Sequence, residues 1–85
     1  MNDKFCHILG KFPEKSHTIA HLIDEDGEFH ALCEDYEVCV EALRYWEQSK
    51  EPEAKNRVNE YRILTRELEE EILQALAGLE PQRLD

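Results

Sequence analysis

Glycine and proline are scarce in this sequence, which has three of each among 85 residues. Gly10, Gly27 and Gly78 stand apart from one another, so the chain has no glycine-rich loop of the kind that cradles phosphate groups. It also lacks the alternation of apolar and polar residues that is typical of half-buried strands. These absences exclude a phosphate-loop protein and indicate a fold without a β-sheet.

Positive charge is absent from a long stretch of the chain. No Lys or Arg occurs between Lys15 and Arg44, whereas acidic residues are frequent there. The acidic residues in this stretch are Asp24, Glu25, Asp26, Glu28, Glu34, Asp35, Glu37 and Glu41. Over the whole sequence the net charge is −10. Because such a surface repels phosphate groups, we expect no nucleic-acid partner and no membrane partner. The acidic stretch predicts a solvated helix face or, alternatively, a docking face for a basic protein.

Long apolar runs and a disulfide framework are also missing. No stretch approaches the ~20 apolar residues of a membrane-spanning helix. The first residues lack a charged start followed by a long apolar run, so we expect no secretory signal. Cys6, Cys33 and Cys39 are odd in number and do not have the spacing of a disulfide framework. We therefore expect free thiols and a cytoplasmic protein.

Two apolar stripes with helical spacing are what the sequence does contain. The first stripe comprises Phe29, Leu32, Tyr36, Cys39, Leu43 and Trp46. The second comprises Val58, Tyr61, Thr65, Leu68, Ile72, Ala75 and Leu79. Both advance in steps of three and four residues, which places their members on one face of a helix. The stripes predict an all-α fold, an antiparallel, coiled-coil-like helical hairpin preceded by a short N-terminal helix.

The predicted boundaries describe a single helical domain over residues 1–85. Its parts are an N-terminal lead-in (1–12), a short helix (13–25), two hairpin helices (27–49 and 52–77) and a tail (78–85). Asp26 is the expected N-cap of the first hairpin helix, because its side chain can accept a bond from an unpaired backbone N–H. Pro52 suits the first position of the second. Gly78 is expected to end that helix in a left-handed conformation, with Pro81 preventing its continuation.

The hairpin seam predicts the structural core. Its expected members are Phe29, Leu32, Tyr36, Leu43, Trp46, Val58, Leu68 and Ile72. Antiparallel pairing about the turn sets Trp46 near Val58 and Tyr36 near Leu68. We expect truncation of Phe29 or of Trp46 to Ala to cost ~3–5 kcal/mol of stability.

Further apolar residues lie beside or away from this seam. They are Cys33, Val40, Ile63, Leu64, Leu73 and Leu76. One hairpin cannot cover all of them, even when the short first helix covers some. We therefore expect self-association, most simply as a homodimer.

Histidines and cysteines are the residues of this sequence that could act as metal ligands or nucleophiles. His17 and His21 are four residues apart and His30 and Cys33 are three apart, spacings that can place two ligands on one metal ion. However, no complete metal-binding or nucleophile motif occurs. We predict no catalytic residue, no metal and no cofactor. The expected function is that of a non-enzymatic protein–protein interaction module, and the alternative is a small metal-binding or redox-responsive protein that uses these four residues.

The order of aromatic and aliphatic residues in the first half of the chain is distinctive. It runs Phe12-Pro13-Glu14, Ile19-x-x-Leu22, Phe29-x-x-Leu32-x-x-x-Tyr36 and then Leu43 near Glu47. This order resembles the YdcH-like family of small bacterial proteins, over residues 7–47 and more loosely over 58–73. The sequence departs from the family at Glu69, where members tend to have Lys. The resemblance implies a helical hairpin with a short preceding helix in a bacterial cytoplasm, and it implies no activity and no catalytic residues.

Overall fold

The computed structural model describes residues 3–79, which form helices joined by short connections. The α-helices are α1 (Cys6–Lys11), α2 (Ser16–Glu25), α3 (Gly27–Gln48) and α4 (Ala54–Leu79). Two 3₁₀ helices, Asp3–Phe5 and Pro13–Lys15, precede α1 and α2. No strand occurs within residues 3–79. The two long helices α3 and α4 pack against each other, which confirms the predicted all-α helical hairpin.

The N-terminal lead-in is more ordered than the sequence analysis expected. Residues 1–12 were assigned no helix, yet they contain α1 and the 3₁₀ helix before it. Phe5, Ile8, Leu9 and Phe12 have the spacing of one helix face, and Phe5 and Ile8 are fully buried. This segment therefore adds a third layer to the core. The first two residues lie outside the part of the chain that the structure describes.

The junction between α2 and α3 follows the expected capping chemistry. Asp26 has an extended backbone, and its Oδ1 atom accepts hydrogen bonds from the backbone N–H groups of Glu28 (2.9 Å) and Phe29 (3.2 Å). These are two of the N–H groups that an α-helix leaves unpaired at its start. The predicted N-cap is confirmed, and α3 begins at the predicted residue.

The bounds of the second hairpin helix differ from those predicted. Pro52 lies in the turn, two residues before α4 begins at Ala54. At the other end, Gly78 belongs to α4, and no described glycine has a positive φ angle. The expected left-handed cap at Gly78 is therefore wrong. The predicted tail (78–85) overlaps α4 at its first two residues, and Pro81 with the rest of the tail lies outside the described residues.

The predicted core is buried at four of its eight positions. Four of its members, away from the turn, are buried: Phe29, Tyr36, Leu68 and Ile72. The other four are only half-buried: Leu32, Leu43, Trp46 and Val58. The expectation that Trp46 would be a buried cap of the core is wrong. The polar contacts of the N-terminal segment with α3 are at Glu34, Glu37 and Glu41, away from Trp46 and the turn.

Polar contacts between α3 and α4 define their register. The Tyr36 hydroxyl donates to Glu69 Oε2 (2.8 Å), one residue beyond the Leu68 that was predicted to lie opposite Tyr36. Nearer the turn, Arg62 Nη2 lies 3.6 Å from Glu47 Oε2. These contacts agree with antiparallel pairing about the turn.

The six apolar residues outside the seam differ in how deeply they are buried. Cys33 and Leu76 are buried within the main core, because α1 and α2 widen it beyond a two-helix seam. Val40 is half-buried against that core. Ile63, Leu64 and Leu73 are exposed. Some of the six are thus covered within the chain, as expected, and Ile63, Leu64 and Leu73 remain uncovered.

Candidate functional site

The four metal-ligand candidates from the sequence do not come together. His17 and His21 are exposed on α2. The His30 ring packs edge-to-face on Phe5, with the ring centroids 5.3 Å apart, and its Nε2 lies 3.4 Å from Glu34 Oε2. Cys33 is fully buried. In residues 3–79, none of these four belongs to a group of three ligands within reach of one ion.

A different cluster forms where the start of α1 lies against α3. The ligand atoms of Cys6, His7 and Glu37 all lie within 4.8 Å of one another. His7 Nε2 is 2.6 Å from Glu41 Oε2, so a fourth residue touches the cluster. Glu37 and Glu41 are four residues apart on α3, which places both carboxylates on the side that faces α1. Sulfur, nitrogen and oxygen donors thus lie side by side at this contact.

Glu37 is the buried centre of this cluster. Its carboxylate accepts hydrogen bonds from the backbone N–H groups of Ile8 (2.7 Å) and His7 (3.2 Å). Both N–H groups belong to the first turn of α1, where a helix has unpaired donors, and Phe5, which precedes α1, supplies no side-chain cap. A carboxylate of α3 therefore caps α1 from another part of the chain. This contact fixes the position of α1 and with it that of Cys6.

Two exposed polar side-chain contacts flank the buried carboxylate. Lys4 Nζ donates to Glu34 Oε2, and this hydrogen bond lowers the pKa of the Glu34 carboxyl. The hydrogen bond with His7 likewise lowers the pKa of the Glu41 carboxyl. With Asp26 and Glu37, half of the eight acidic residues between Lys15 and Arg44 have partners within the fold. The acidic stretch is therefore not a uniformly solvated face, because half of its carboxylates take part in contacts that hold the fold together.

A second polar contact joins the last residue of α1 to the interior of α3 and of α4. Glu69 Oε2 accepts the Tyr36 hydroxyl and also lies 3.8 Å from Lys11 Nζ. Burial, together with the hydrogen bond to Glu69, raises the pKa of the Tyr36 hydroxyl. Tyr36 is therefore a structural donor that stays protonated.

The turn end of the hairpin has an open cleft of about 680 Å³. Trp46 and Val58 line it together with charged residues, among them Lys50, Glu51 and Arg62. The Arg57 guanidinium lies 6.0 Å from the centre of the Trp46 ring, which suits a cation–π contact. The polar side chains that line the cleft are exposed, apart from the half-buried Ser49.

The three thiols differ in environment, and this leads to a direct prediction. Burial, and secondarily the negative charge of Glu37, raises the pKa of the Cys33 thiol to about 12. Burial, with Asp35 second, also raises the pKa of Cys39, whereas Cys6 is exposed. Because the thiolate is the reactive form, we expect DTNB to modify one thiol rapidly in the native protein and all three in denaturant. Cys6→Ser should remove the rapid phase, and two rapid thiols in the native protein would contradict the buried position of Cys33 or Cys39.

Sequence reasoning missed the cluster because it assigned no helix to the lead-in. The signal was present in the spacing of Phe5, Ile8, Leu9 and Phe12, which places Cys6 and His7 at the start of a helix. The facing partners, Glu37 and Glu41, could not be identified, because they are 30 or more residues away along the chain.

None of the described helices is long and apolar enough to cross a membrane. No protein-family model, no curated protein and no solved structure matches this chain.

Proposed function

We propose that this protein is a non-enzymatic protein–protein interaction module that self-associates as a homodimer. The observation that carries the proposal is the thin turn half of the hairpin, residues 42–64. Here α3 and α4 lie beyond the reach of α1 and α2, and large apolar side chains stay uncovered. Three are exposed, namely Tyr45, Ile63 and Leu64. Four more are half-buried, namely Leu43, Trp46, Val58 and Tyr61.

The distribution of charge favours a second copy as the occupant of this surface. The turn half contains five Lys or Arg residues and four Glu, a net charge of +1, so the rest of the chain carries −11. Two copies therefore repel each other least when their turn halves meet. Arg57 and Arg62 already pair with Glu60 and Glu47 within one copy. Side-by-side packing of two turn halves would produce a four-helix arrangement that covers the apolar side chains.

The opposite end of the molecule suits a basic protein. Asp24, Glu25, Glu28 and Asp35 are exposed there, and their side chains make no hydrogen bond or ion pair within residues 3–79. We propose this acidic end as a second docking surface, whose binding would weaken with added salt because exposed charges are screened. Capture that resists high salt would contradict it. We propose no nucleic-acid or membrane partner, because the net charge opposes both.

A non-enzymatic role is supported by where the perturbed groups lie. Enzymes place groups with shifted pKa values in a concave site. In the described chain the thiols and hydroxyl with raised pKa values, Cys33, Tyr36 and Cys39, belong to the packed core. The carboxyls of Glu34 and Glu41 line an open cleft, and hydrogen bonds with Lys4 and His7 are the main cause of their lowered pKa values. The free thiols support a reducing cytoplasm as the location. The resemblance to the bacterial YdcH-like family is part of the same proposal.

Self-association has a matched pair of test variants. Leu64 in the turn half is 40% exposed and Leu73, nine residues further along α4, is 37% exposed. We expect sedimentation at tens of micromolar to show a dimer for the parent and for Leu73→Glu. Leu64→Glu should raise the dimer dissociation constant roughly 10-fold or more, since it buries a charge where an apolar side chain packed.

Far-UV circular dichroism should show the same helix content for both variants, because both side chains are exposed. A parent protein that sediments as a monomer would overturn the dimer. A Leu73→Glu variant that dissociates as readily as Leu64→Glu would overturn the choice of surface.

A further inference from the structure

We propose that Cys6, His7 and Glu37 bind a zinc ion, with Glu41 orienting the imidazole of His7. The three ligand atoms are already within 4.8 Å of one another, close enough to surround one ion after small side-chain adjustments. A thiolate, an imidazole and a carboxylate are all ligands that Zn²⁺ accepts in tetrahedral sites. The fourth position would be open to water, because Cys6 is exposed.

The two carboxylates have separate tasks in this site. Glu37 is held in place by the N–H groups of His7 and Ile8, which occupy only two of the roughly four acceptor positions of a carboxylate. The remaining positions can reach a metal. Glu41 accepts from His7 Nε2 at 2.6 Å, which leaves the other ring nitrogen with a free lone pair. A carboxylate behind a metal-binding histidine is a common arrangement that fixes the ring and raises its basicity.

The charges around the cluster favour a cation. A Cys6 thiolate and the Glu37 carboxylate together balance the charge of Zn²⁺, and the thiol proton is released to solvent when the metal binds. Lys4 lines the cleft beside the cluster but is paired with Glu34. Arg44 acts on the Glu41 carboxyl, which is not one of the three ligands. An open cleft lies beside the cluster, lined by Cys6, Glu37 and Glu41 among others, so an ion can enter from solvent.

The N-terminus of α1 opposes cation binding at this site, because the N-terminus of a helix carries partial positive charge and favours anions. Its field is weak here, because α1 has only six residues and Glu37 already caps it. Bound zinc would also join the lead-in to α3 by metal coordination, in addition to the capping hydrogen bonds of Glu37. We therefore expect zinc to raise the melting temperature of the protein.

Cobalt is the most informative probe of this site. When Co²⁺ is added to chelator-treated protein, we expect a thiolate-to-metal absorption band in the near ultraviolet that saturates at one ion per chain. Added Zn²⁺ should displace the cobalt and should protect Cys6 from DTNB. Cys6→Ser should abolish the band, and Glu41→Ala should weaken the affinity roughly 10–100-fold.

His21→Ala is the matched control, because His21 is an exposed histidine on α2 that lies outside the cluster. It should leave the cobalt band and the affinity unchanged. Cys6 and Glu41 are both exposed, so their variants should fold normally, and far-UV circular dichroism checks this.

The proposal fails if the parent gives no thiolate band, if the band persists in Cys6→Ser, or if His21→Ala removes it. Sedimentation in the presence of a chelator tests the dimer separately, so the failure of one proposal does not decide the other.

Discussion

Phe29→Ala is expected to lower the free energy of unfolding by ~3–5 kcal/mol, the range found when large core aromatics are truncated. Phe29 is 3% exposed and belongs to the core cluster that includes residues from all four α-helices. Its backbone N–H also bonds Asp26, so its side chain lies at the junction of α2 and α3. The deleted ring leaves a cavity that these helices cannot close without moving Asp26 and its cap. Urea unfolding followed by circular dichroism measures the loss.

Trp46→Ala is the matched comparison for Phe29→Ala, because both are aromatic residues of the same apolar stripe on α3. Trp46 is half-buried at the turn end and lines an open cleft. At protein concentrations below dimer formation, we expect its truncation to cost less than half as much as that of Phe29. Equal losses for the two variants would show that the turn half is as well packed as the rest, which contradicts the described burial.

The main architecture was predictable because the information for it is local. The steps of three and four residues along each stripe fix the buried faces of α3 and α4, and a short turn forces the two helices to run antiparallel. Asp26 was identifiable as a cap because an acidic residue before an apolar stripe is a local signal. The register, shown by the contact of Tyr36 with Glu69, follows from the length of the turn.

The errors arise where distant segments decide the outcome. Trp46 and Phe29 belong to one stripe, but Phe29 lies at the junction of α2 and α3 whereas Trp46 lines the cleft at the turn. Cys33 was expected outside the seam, yet the N-terminal segment buries it completely. Gly78 remains helical although glycine often ends helices. The tendency of glycine to adopt the left-handed conformation therefore does not decide the backbone at this position.

The candidate site was harder to predict than the fold. Glu37 is one of eight acidic residues in its stretch, and nothing in its neighbourhood distinguishes it from the exposed Asp35. Its role depends on the first turn of α1, about 30 residues earlier in the chain. Helical spacing placed Glu37 and Glu41 on one face, but only the structure shows that this face meets Cys6 and His7.

Glu37→Ala is expected to be the most damaging substitution of a charged residue, with a loss of about 2–4 kcal/mol. The substitution removes the acceptor of two backbone N–H groups, one of which belongs to the fully buried Ile8. A buried donor without a partner costs its full desolvation, which is more than the net value of the bond itself. Loss of the cap also weakens the attachment of α1 to α3. Phe5, which directly precedes α1, would then be less well buried. Urea unfolding in the presence of a chelator measures the loss without any contribution from bound metal.

Two further variants separate the cap from a general effect of charge. Glu37→Gln keeps one carbonyl oxygen as an acceptor and should lose about half as much stability as Glu37→Ala. Glu41→Ala removes a carboxylate that is 68% exposed on the same helix face and should cost much less stability than Glu37→Ala. Hydrogen exchange locates the effect, because the amide of Ile8 should lose protection in Glu37→Ala while amides of Leu68 and Ile72 keep most of theirs. Equal destabilisation by Glu41→Ala and Glu37→Ala would contradict this role of Glu37. It would show that negative charge on this face of α3, and not the capping hydrogen bonds, holds α1 in place.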